Sequence, residues 1–399
     1  MFLDDLSKKR LIKMGVSLFI SYLSVAMALP VISVYVCHDL GYAHRLGGLA
    51  VGISFFSTIL SRKYAGFFSD TVSPKKCTMR GLFLYTSAAA ICLVSALAIF
   101  PANIAYIILI VGRLILGFGE SMVMVGLTSW HFAVIGPKHS GKILSVAGMA
   151  MYGAFALGGP LGLAVYSKFD FKILMGLSLI LPFIGGLFLF NLADHKNKER
   201  LNKNQSFFKI IHKIWKQGMV VSLQGVGFAV LGAFVLLYFK SKGWPFAGMG
   251  LSLFGIGFVL SRIFWGSIPD RFGGINITCF SLVIELIGQL LLWMGSNLSL
   301  ALIGSFFTGL GCSMIFPAMG VEAIKRVPSE YRATAFGGFA AFQDLSYAVS
   351  APIAGVLVDF FDYSIVFLMG AMAAALGILF ILSIYWEEKV ENKCLGQRV

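Results

Sequence analysis

The chain has 399 residues, of which 58% are hydrophobic and 13% charged, against about 45–50% and about 25% in ordinary water-soluble domains. With a mean hydropathy of +0.86 it has too few charges to coat a soluble surface, which excludes a soluble enzyme and leaves no stretch for a separate catalytic domain. The formal charge of +14 would suggest nucleic acid as a partner of a soluble protein, but here the position of each charge decides its meaning.

Apolar runs long enough to cross a bilayer as a helix of roughly 20 residues fall at about 14–36, 46–68, 78–99, 104–126, 144–166 and 172–192. They resume at about 217–239, 247–269, 277–296, 300–322, 333–357 and 364–386. Membrane barrels alternate apolar and polar residues, so continuous runs of this length predict helices. The fold class expected is an all-α membrane protein with twelve transmembrane helices in two pseudo-symmetric bundles of six. Lys8, Lys9, Arg10 and Lys13 precede the first run, which ends near Ala26-Met27-Ala28 and so imitates a signal peptide. With this many runs behind it, an uncleaved first helix is expected. Residues 1–193 form the first bundle and 217–386 the second. Between them, 194–216 read as a basic linker carrying Lys196, Lys198, Arg200, Lys203, Lys209, Lys213 and Lys216, with a short surface helix near Phe207–Trp215. Residues 387–399 are a tail.

Lys and Arg set the orientation. With the N-terminus inside, about 23 of them fall on the cytoplasmic side and about five outside (Arg45, Lys168, Lys172, Lys240 and Lys242). Both termini are therefore expected inside. The net charge is an orientation signal and an attraction to anionic lipid rather than a nucleic-acid footprint. The six cysteines, Cys37, Cys77, Cys92, Cys279, Cys312 and Cys394, lack metal-ligand spacing and read as free thiols.

The halves echo each other. Ser61-Arg62-Lys63-Tyr64-Ala65-Gly66-Phe67-Phe68-Ser69-Asp70 recurs 200 residues on as Ser261-Arg262-Ile263-Phe264-Trp265-Gly266-Ser267-Ile268-Pro269-Asp270. Gly117-Phe118-Gly119-Glu120-Ser121-Met122 is matched by Gly309-Leu310-Gly311-Cys312-Ser313-Met314. On these residues the sequence resembles the major facilitator superfamily along essentially its whole length. The family's loop motif after the second helix stands here as Gly66, Asp70, Lys75 and Lys76, with Thr71 and Ser73 replacing a basic residue and a glycine. The second copy keeps Gly266, Asp270, Arg271 and Gly273. Arg113 with Gly117 and Gly119 looks like the family's fourth-helix motif. Gly158-Gly159-Pro160-Leu161-Gly162 resembles, in shortened form, the signature of proton-antiporting exporters, of the YhhS/YfcJ type. The resemblance implies the major facilitator fold, alternating access, a cavity lined by the first, fourth, seventh and tenth helices, a monomer and a bacterial inner membrane.

The residues themselves suggest roles. Gly66 would allow close helix approach, and Asp70 and Asp270 could meet helix termini or basic residues at a gate, or simply cap helices. Gly158, Gly159, Pro160 and Gly162 would bend the fifth helix toward a cavity or pack it closely. An ionisable group within a span costs about 2.5–3.5 kcal/mol on insertion scales, so it normally has a partner or a role. Arg62 and Arg262 are symmetric, near the cytoplasmic ends, and read as gate or structural pairs first. Arg113, Glu120, Glu285 and Asp344 break the symmetry, their counterparts being about Ser305, Cys312, Tyr85 and Tyr152. Asp344 beside Gln343 is the carboxylate expected to take up and lose a proton, with Arg113 or a substrate cation near it. Glu120 lies on the same helix face as Arg113. Glu285 is either a proton or substrate group or a buried structural hydrogen bond, and Gln224 and Tyr152 are candidate cavity residues.

Other signals fail. Gly136-Pro137-Lys138-His139-Ser140-Gly141-Lys142-Ile143 lacks the hydroxyl residue and preceding strand of a phosphate loop, so no nucleotide or other cofactor is expected. His131 and His139 read as ordinary loop histidines. The function expected is secondary transport of a small organic solute, by proton-coupled export, with proton-coupled or facilitated uptake as the alternative. A membrane sensor that binds without transporting is the reading from another class. An enzyme is not expected.

Overall fold

The computed structural model describes residues 5–97, 99–135, 140–194, 207–246, 248–265, 273–328 and 332–396. These form twelve α-helices and no strand. The first six are α1 (Asp5–Val34), α2 (His44–Thr71), α3 (Pro74–Ser95), α4 (Ala102–Ile135), α5 (Ser140–Lys168) and α6 (Phe171–Phe190). The other six are α7 (Phe207–Ser241), α8 (Met249–Trp265), α9 (Gly274–Trp293), α10 (Leu298–Lys325), α11 (Arg332–Phe360) and α12 (Ile365–Gly396). A π-helical turn, Tyr35–Asp39, extends α1.

In hydrocarbon every backbone amide must be satisfied within its own segment, which is why the apolar runs become helices. Among the described residues, ten stretches are long and apolar enough to cross a membrane, and α8 adds a shorter apolar helix, Met249–Phe264. Phe83, Phe183, Phe280 and Leu379 are each more than 60% exposed, as side chains facing lipid would be. Helix starts are set by short polar side chains. Ser73 accepts from the Lys76 amide with Pro74 in the first turn, Asp170 from Ile173, and Asn297 from Leu300.

The packing repeats with a period of six helices. In the first half α1 packs on α5 and α6, α2 on α4, and α3 on α4 and α6. In the second, α7 packs on α11 and α12, α8 on α10, and α9 on α10 and α12. The halves meet where α2 lies on α11, α5 on α8, and α1 on α7, and exchanging the halves maps the first two of these pairings onto each other. Lipid tails are as apolar as the side chains, so helix association depends on close packing through small residues. Gly117 of α4 lies on the Ser54 carbonyl of α2, and Gly309 of α10 on the Phe254 carbonyl of α8. These are the same contact in the two halves.

One boundary differs from the sequence reading. Residues 207–216 are not a separate surface helix but the first turns of the 35-residue α7. Ile210 and Ile214 are buried in the second-half core with Ile381 and Ile384 of α12, so this basic segment is anchored by an apolar stripe. The rest of the linker, 195–206, the phosphate-loop-like residues 136–139, and Gly266, Asp270 and Arg271 of the second gate motif lie outside the described residues.

Candidate functional site

Where α2 lies on α11, Arg62 and Asp344 form an ion pair across the halves. The Arg62 Nε donates to Asp344 Oδ2 at 2.7 Å, and an Nη contacts the same oxygen. The side chains are 20% and 12% exposed, dry enough for the pairing to matter. The sequence reading put Arg113 or a substrate cation near Asp344, and Arg113 is not paired with it. Arg113 is 1% exposed and turned into the first half. Its Nε donates to the Ala50 carbonyl at 3.0 Å, and an Nη to the Val51 carbonyl at 3.3 Å and to Ser54 Oγ at 2.8 Å. Arginine's rigid fork of donors can reach several acceptors at once, and here it ties α4 to α2 where Gly117 lets them approach.

Around the ion pair, Tyr152 of α5 stacks on Phe258 of α8, ring centres 4.1 Å apart, and Arg262 lies over Tyr152 at 5.4 Å. Arg262 Nε donates to Ser313 Oγ at 3.3 Å. Gln343 reaches the Tyr152 hydroxyl. The symmetric arginines thus differ in role. Arg62 takes a carboxylate from the other half, and Arg262 takes an aromatic ring from the other half and a hydroxyl from its own. On the first-half side, Glu120 Oε1 accepts from the Tyr22 hydroxyl at 2.5 Å and lies within electrostatic reach of Asp344, Arg62 and Arg113. Tyr22 was missed in the sequence, where one more aromatic residue in an apolar helix carries no signal. Phe55 and Tyr347 meet edge to face, centres 5.0 Å apart, closing the interface beyond the pair.

The structure therefore brings together Asp344, Arg62, Glu120, Gln343, Tyr152 and Arg262. Glu285 and Gln224 lie apart, inside the second half against Cys312. Two of the gate-motif residues, Gly66 and Lys75, do something other than expected. A side chain added at Gly66 would meet nothing within 4 Å, so in this conformation the glycine does not serve close packing. Lys75 Nζ donates to the Phe190 and Leu192 carbonyls at 2.8 and 2.6 Å and caps the end of α6 within its own half. Lys76 is exposed, and Asp70 stands in the last turn of α2. Gly158 and Gly162 pack onto the Ala26–Met27 backbone of α1, and Gly159 lies on Leu251 of α8. Close packing is therefore their role here, with Pro160 inside α5.

At the other ends of α2 and α11 is a second cross-half cluster that the sequence did not reveal. The Asp359 carboxylate accepts from the backbone amides of His44 (2.9 Å) and Arg45 (3.2 Å) and pairs with His44 Nδ1 at 3.1 Å. It thus caps α2 from the opposite half. His44 Nε2 bonds the Tyr363 hydroxyl.

Two six-helix halves in membrane-spanning form, joined through ionisable groups within the spans, define a polytopic membrane protein of the transporter class. The sequence profile of the Major Facilitator Superfamily matches residues 14–278 and 222–398, and the chain belongs to that family. It is 38% identical over 367 residues to an MFS-type transporter of Salmonella typhimurium strain LT2, covering 92% of this chain and 94% of the relative. It is 33% identical over 368 residues to one from Burkholderia pseudomallei strain 1106a, covering 92% and 90%. Both relatives carry the description uncharacterized. Among solved structures, the D-xylose–proton symporter superposes with a TM-score of 0.77 at 15% identity, covering 94% of this chain and 97% of that one. The nucleoside transporter NupG gives 0.74 at 15%, covering 94% and 99%, and the human organic anion transporter MFSD10 gives 0.71 at 14%, covering 95% and 100%. At these identities the likeness is one of fold.

Proposed function

We propose that the protein is a proton-coupled secondary transporter of a small organic solute, working by alternating access and exporting its substrate. The observation that carries this reading is the Arg62–Asp344 pair, which joins the two moving halves through a charge that a proton can erase. Protonating Asp344 erases the charge–charge attraction and leaves Arg62 free to bind an anionic or polar substrate group or to part from α11. Glu120, held by Tyr22 on the opposite wall, is the second carboxylate in the same field and modulates that exchange. Tyr152, Gln343 and Arg262 offer stacking and hydrogen bonding to a solute. With both termini cytoplasmic, the Asp359 cluster lies at the outer end, so this conformation is closed to the outside. Export rests on the fifth-helix Gly-Pro resemblance. Residues 1–193 and 207–386 would be the rocking units, with the basic first turns of α7 at the anionic inner leaflet, and a monomer in a bacterial inner membrane would suffice.

The test is untargeted metabolite profiling of cells and medium, comparing overproduced wild type with Asp344→Asn at matched membrane levels. A compound that leaves cells only with wild type supports acid-dependent export. A compound that accumulates inside reverses the direction to uptake. Equal transport by Asp344→Asn overturns the role of Asp344. Absence of any difference over several growth conditions counts against transport of cellular metabolites and favours a sensor.

A further inference from the structure

The two halves place a carboxyl group at corresponding depth but on different helices. In the first half Gly119 of α4 packs against the Gly81 carbonyl and Tyr85 of α3. In the second, Gly311 of α10 packs against the Ser281 carbonyl and Glu285 of α9. Tyr85 and Glu285 are thus structural counterparts, as are Glu120 and Cys312, which follow the paired glycines. Each half holds one acid at this junction, beside a weakly acidic partner from the neighbouring helix. Only the acid of the first half has a strong donor, Tyr22.

Glu285 is 0% exposed, and among the described residues neither of its oxygens has a hydrogen-bond partner by geometry. The groups around it are all uncharged. Cys312 of α10 turns its thiol, a weak donor, toward it, and Tyr347 of α11 lies within electrostatic reach. Gly227 of α7 lies directly on Oε1 and beside the Gln289 amide. Gln224 of α7 reaches Cys312 from the other side, and α12 contributes the Gly370 backbone against Gln289. Gln289 Oε1, Gln224 Oε1 and Ser346 Oγ are likewise unpartnered. An ionised carboxylate in that setting would face no cation among the described residues, at a cost of several kcal/mol. The conformation therefore carries Glu285 as the neutral acid. A purely structural acid would be expected to spend its proton on a well-made hydrogen bond. This one does not, while acceptor oxygens stand unused nearby.

We infer that Glu285 is a second proton-binding site, embedded in the second half and loaded from the central site. Tyr347 lies within reach of both Asp344 and Glu285 and with Cys312 forms the route between them. On loading, one O–H bond forms at Glu285 for each proton withdrawn from the central opening, and on release that bond breaks and the carboxylate is left for water entering as the halves part. The inference rests on the proton coupling proposed above and deepens it, since the cycle would then carry a proton in each half.

The test is infrared titration of the purified full chain in lipid nanodiscs, reading the carboxylic-acid C=O band from about pH 5 to about pH 9. The comparison is of wild type, Glu285→Gln, Glu285→Asp, Asp344→Asn and Glu120→Gln. The expected result is a band, lost in Glu285→Gln and displaced in Glu285→Asp, that fades reversibly as pH rises. If Glu285→Gln does not fold, the displaced band of Glu285→Asp makes the assignment alone. A Glu285 band that stays constant over the range means a fixed structural acid and overturns the inference, and absence of any Glu285 band means a permanently ionised group and does the same. Fading produced by NaCl but not by choline chloride at constant pH replaces the proton with sodium. If the Asp344 or Glu120 band titrates while that of Glu285 does not, this inference alone fails. If none of the three titrates, the coupling fails with it.

Discussion

The side chains that matter most are arginines whose neighbours assign them opposite roles. Arg113 spends its donors on two carbonyls and a hydroxyl of α2, so its removal leaves buried acceptors without a donor, at about 1–3 kcal/mol for the site. Arg113→Ala is expected to lower the melting temperature of the solubilised protein and its yield. Arg113→Lys should keep part of both, with an unchanged pH profile of transport; a shifted profile would return Arg113 to the coupling machinery. Arg62 faces a charge instead. Arg62→Met strands Asp344 and should destabilise by about 3 kcal/mol, because breaking one side of a buried pair costs more than the pair contributes. Arg62→Met with Asp344→Leu should recover most of that loss in melting temperature and still transport nothing. An additive loss in the double variant would show that the two side chains are not coupled. Asp344 was legible in the sequence because a mid-span acid is costly wherever it points. Its partner was not legible, because a bond between residues 282 positions apart depends on how α2 and α11 are rotated against each other. No spacing rule encodes that rotation.

Among elements, the helices and their division into halves followed from the apolar runs, since a bilayer leaves the backbone little alternative to helix. The start of α7 at Phe207 was harder to see because its first turns carry Lys209, Lys213 and Lys216 on one side and bury Ile210 and Ile214 on the other. The glycines show the limit of motif reading. Gly66, the motif residue, meets nothing, whereas Gly48 and Gly52 of α2, which belong to no motif, lie against the Ala351 and Ala348 carbonyls of α11. A methyl group at either would wedge the halves apart at the end that the proposed orientation places outside. Gly48→Ala and Gly52→Ala should therefore shift the population toward an outward-open form, seen as faster labelling of an outer-facing cysteine by an impermeant maleimide. Gly66→Ala should leave that rate unchanged and the stability within about 0.5 kcal/mol of wild type. Equal effects of the two kinds of substitution would mean that this conformation is a minor one.

For the whole molecule, the question is what holds shut the end that the proposed orientation places outside. The Asp359 carboxylate caps α2 from the opposite half and pairs with His44, and the Ser33 hydroxyl donates to the Ala233 carbonyl between α1 and α7 at 2.7 Å. A cap that belongs to the other half is made only when the halves are together, so its loss favours the open form without harming either half. Replacing a capping Asp by Ala typically costs about 1 kcal/mol, and the contact with His44 lost with it adds to that. Asp359→Ala should thus raise the outward-open population several-fold. Cys37, a free thiol in the π-helical turn within electrostatic reach of Asp359, is a native reporter, and its labelling from outside should accelerate in proportion. Tyr363 supplies a control with a defined pH response. Burial first, then Cys37 and Asp359, push its hydroxyl up to about 12, so it keeps its proton over the working range, and Tyr363→Phe should speed Cys37 labelling equally at about pH 6 and about pH 8. Above about pH 10 an unfolded chain would release that proton while the folded one still held it, so wild-type stability should fall toward pH 12, and less steeply in Tyr363→Phe. Should Asp359→Ala leave the Cys37 rate unchanged while Gly48→Ala raises it, this end is closed by packing alone and the carboxylate adds nothing to the closure.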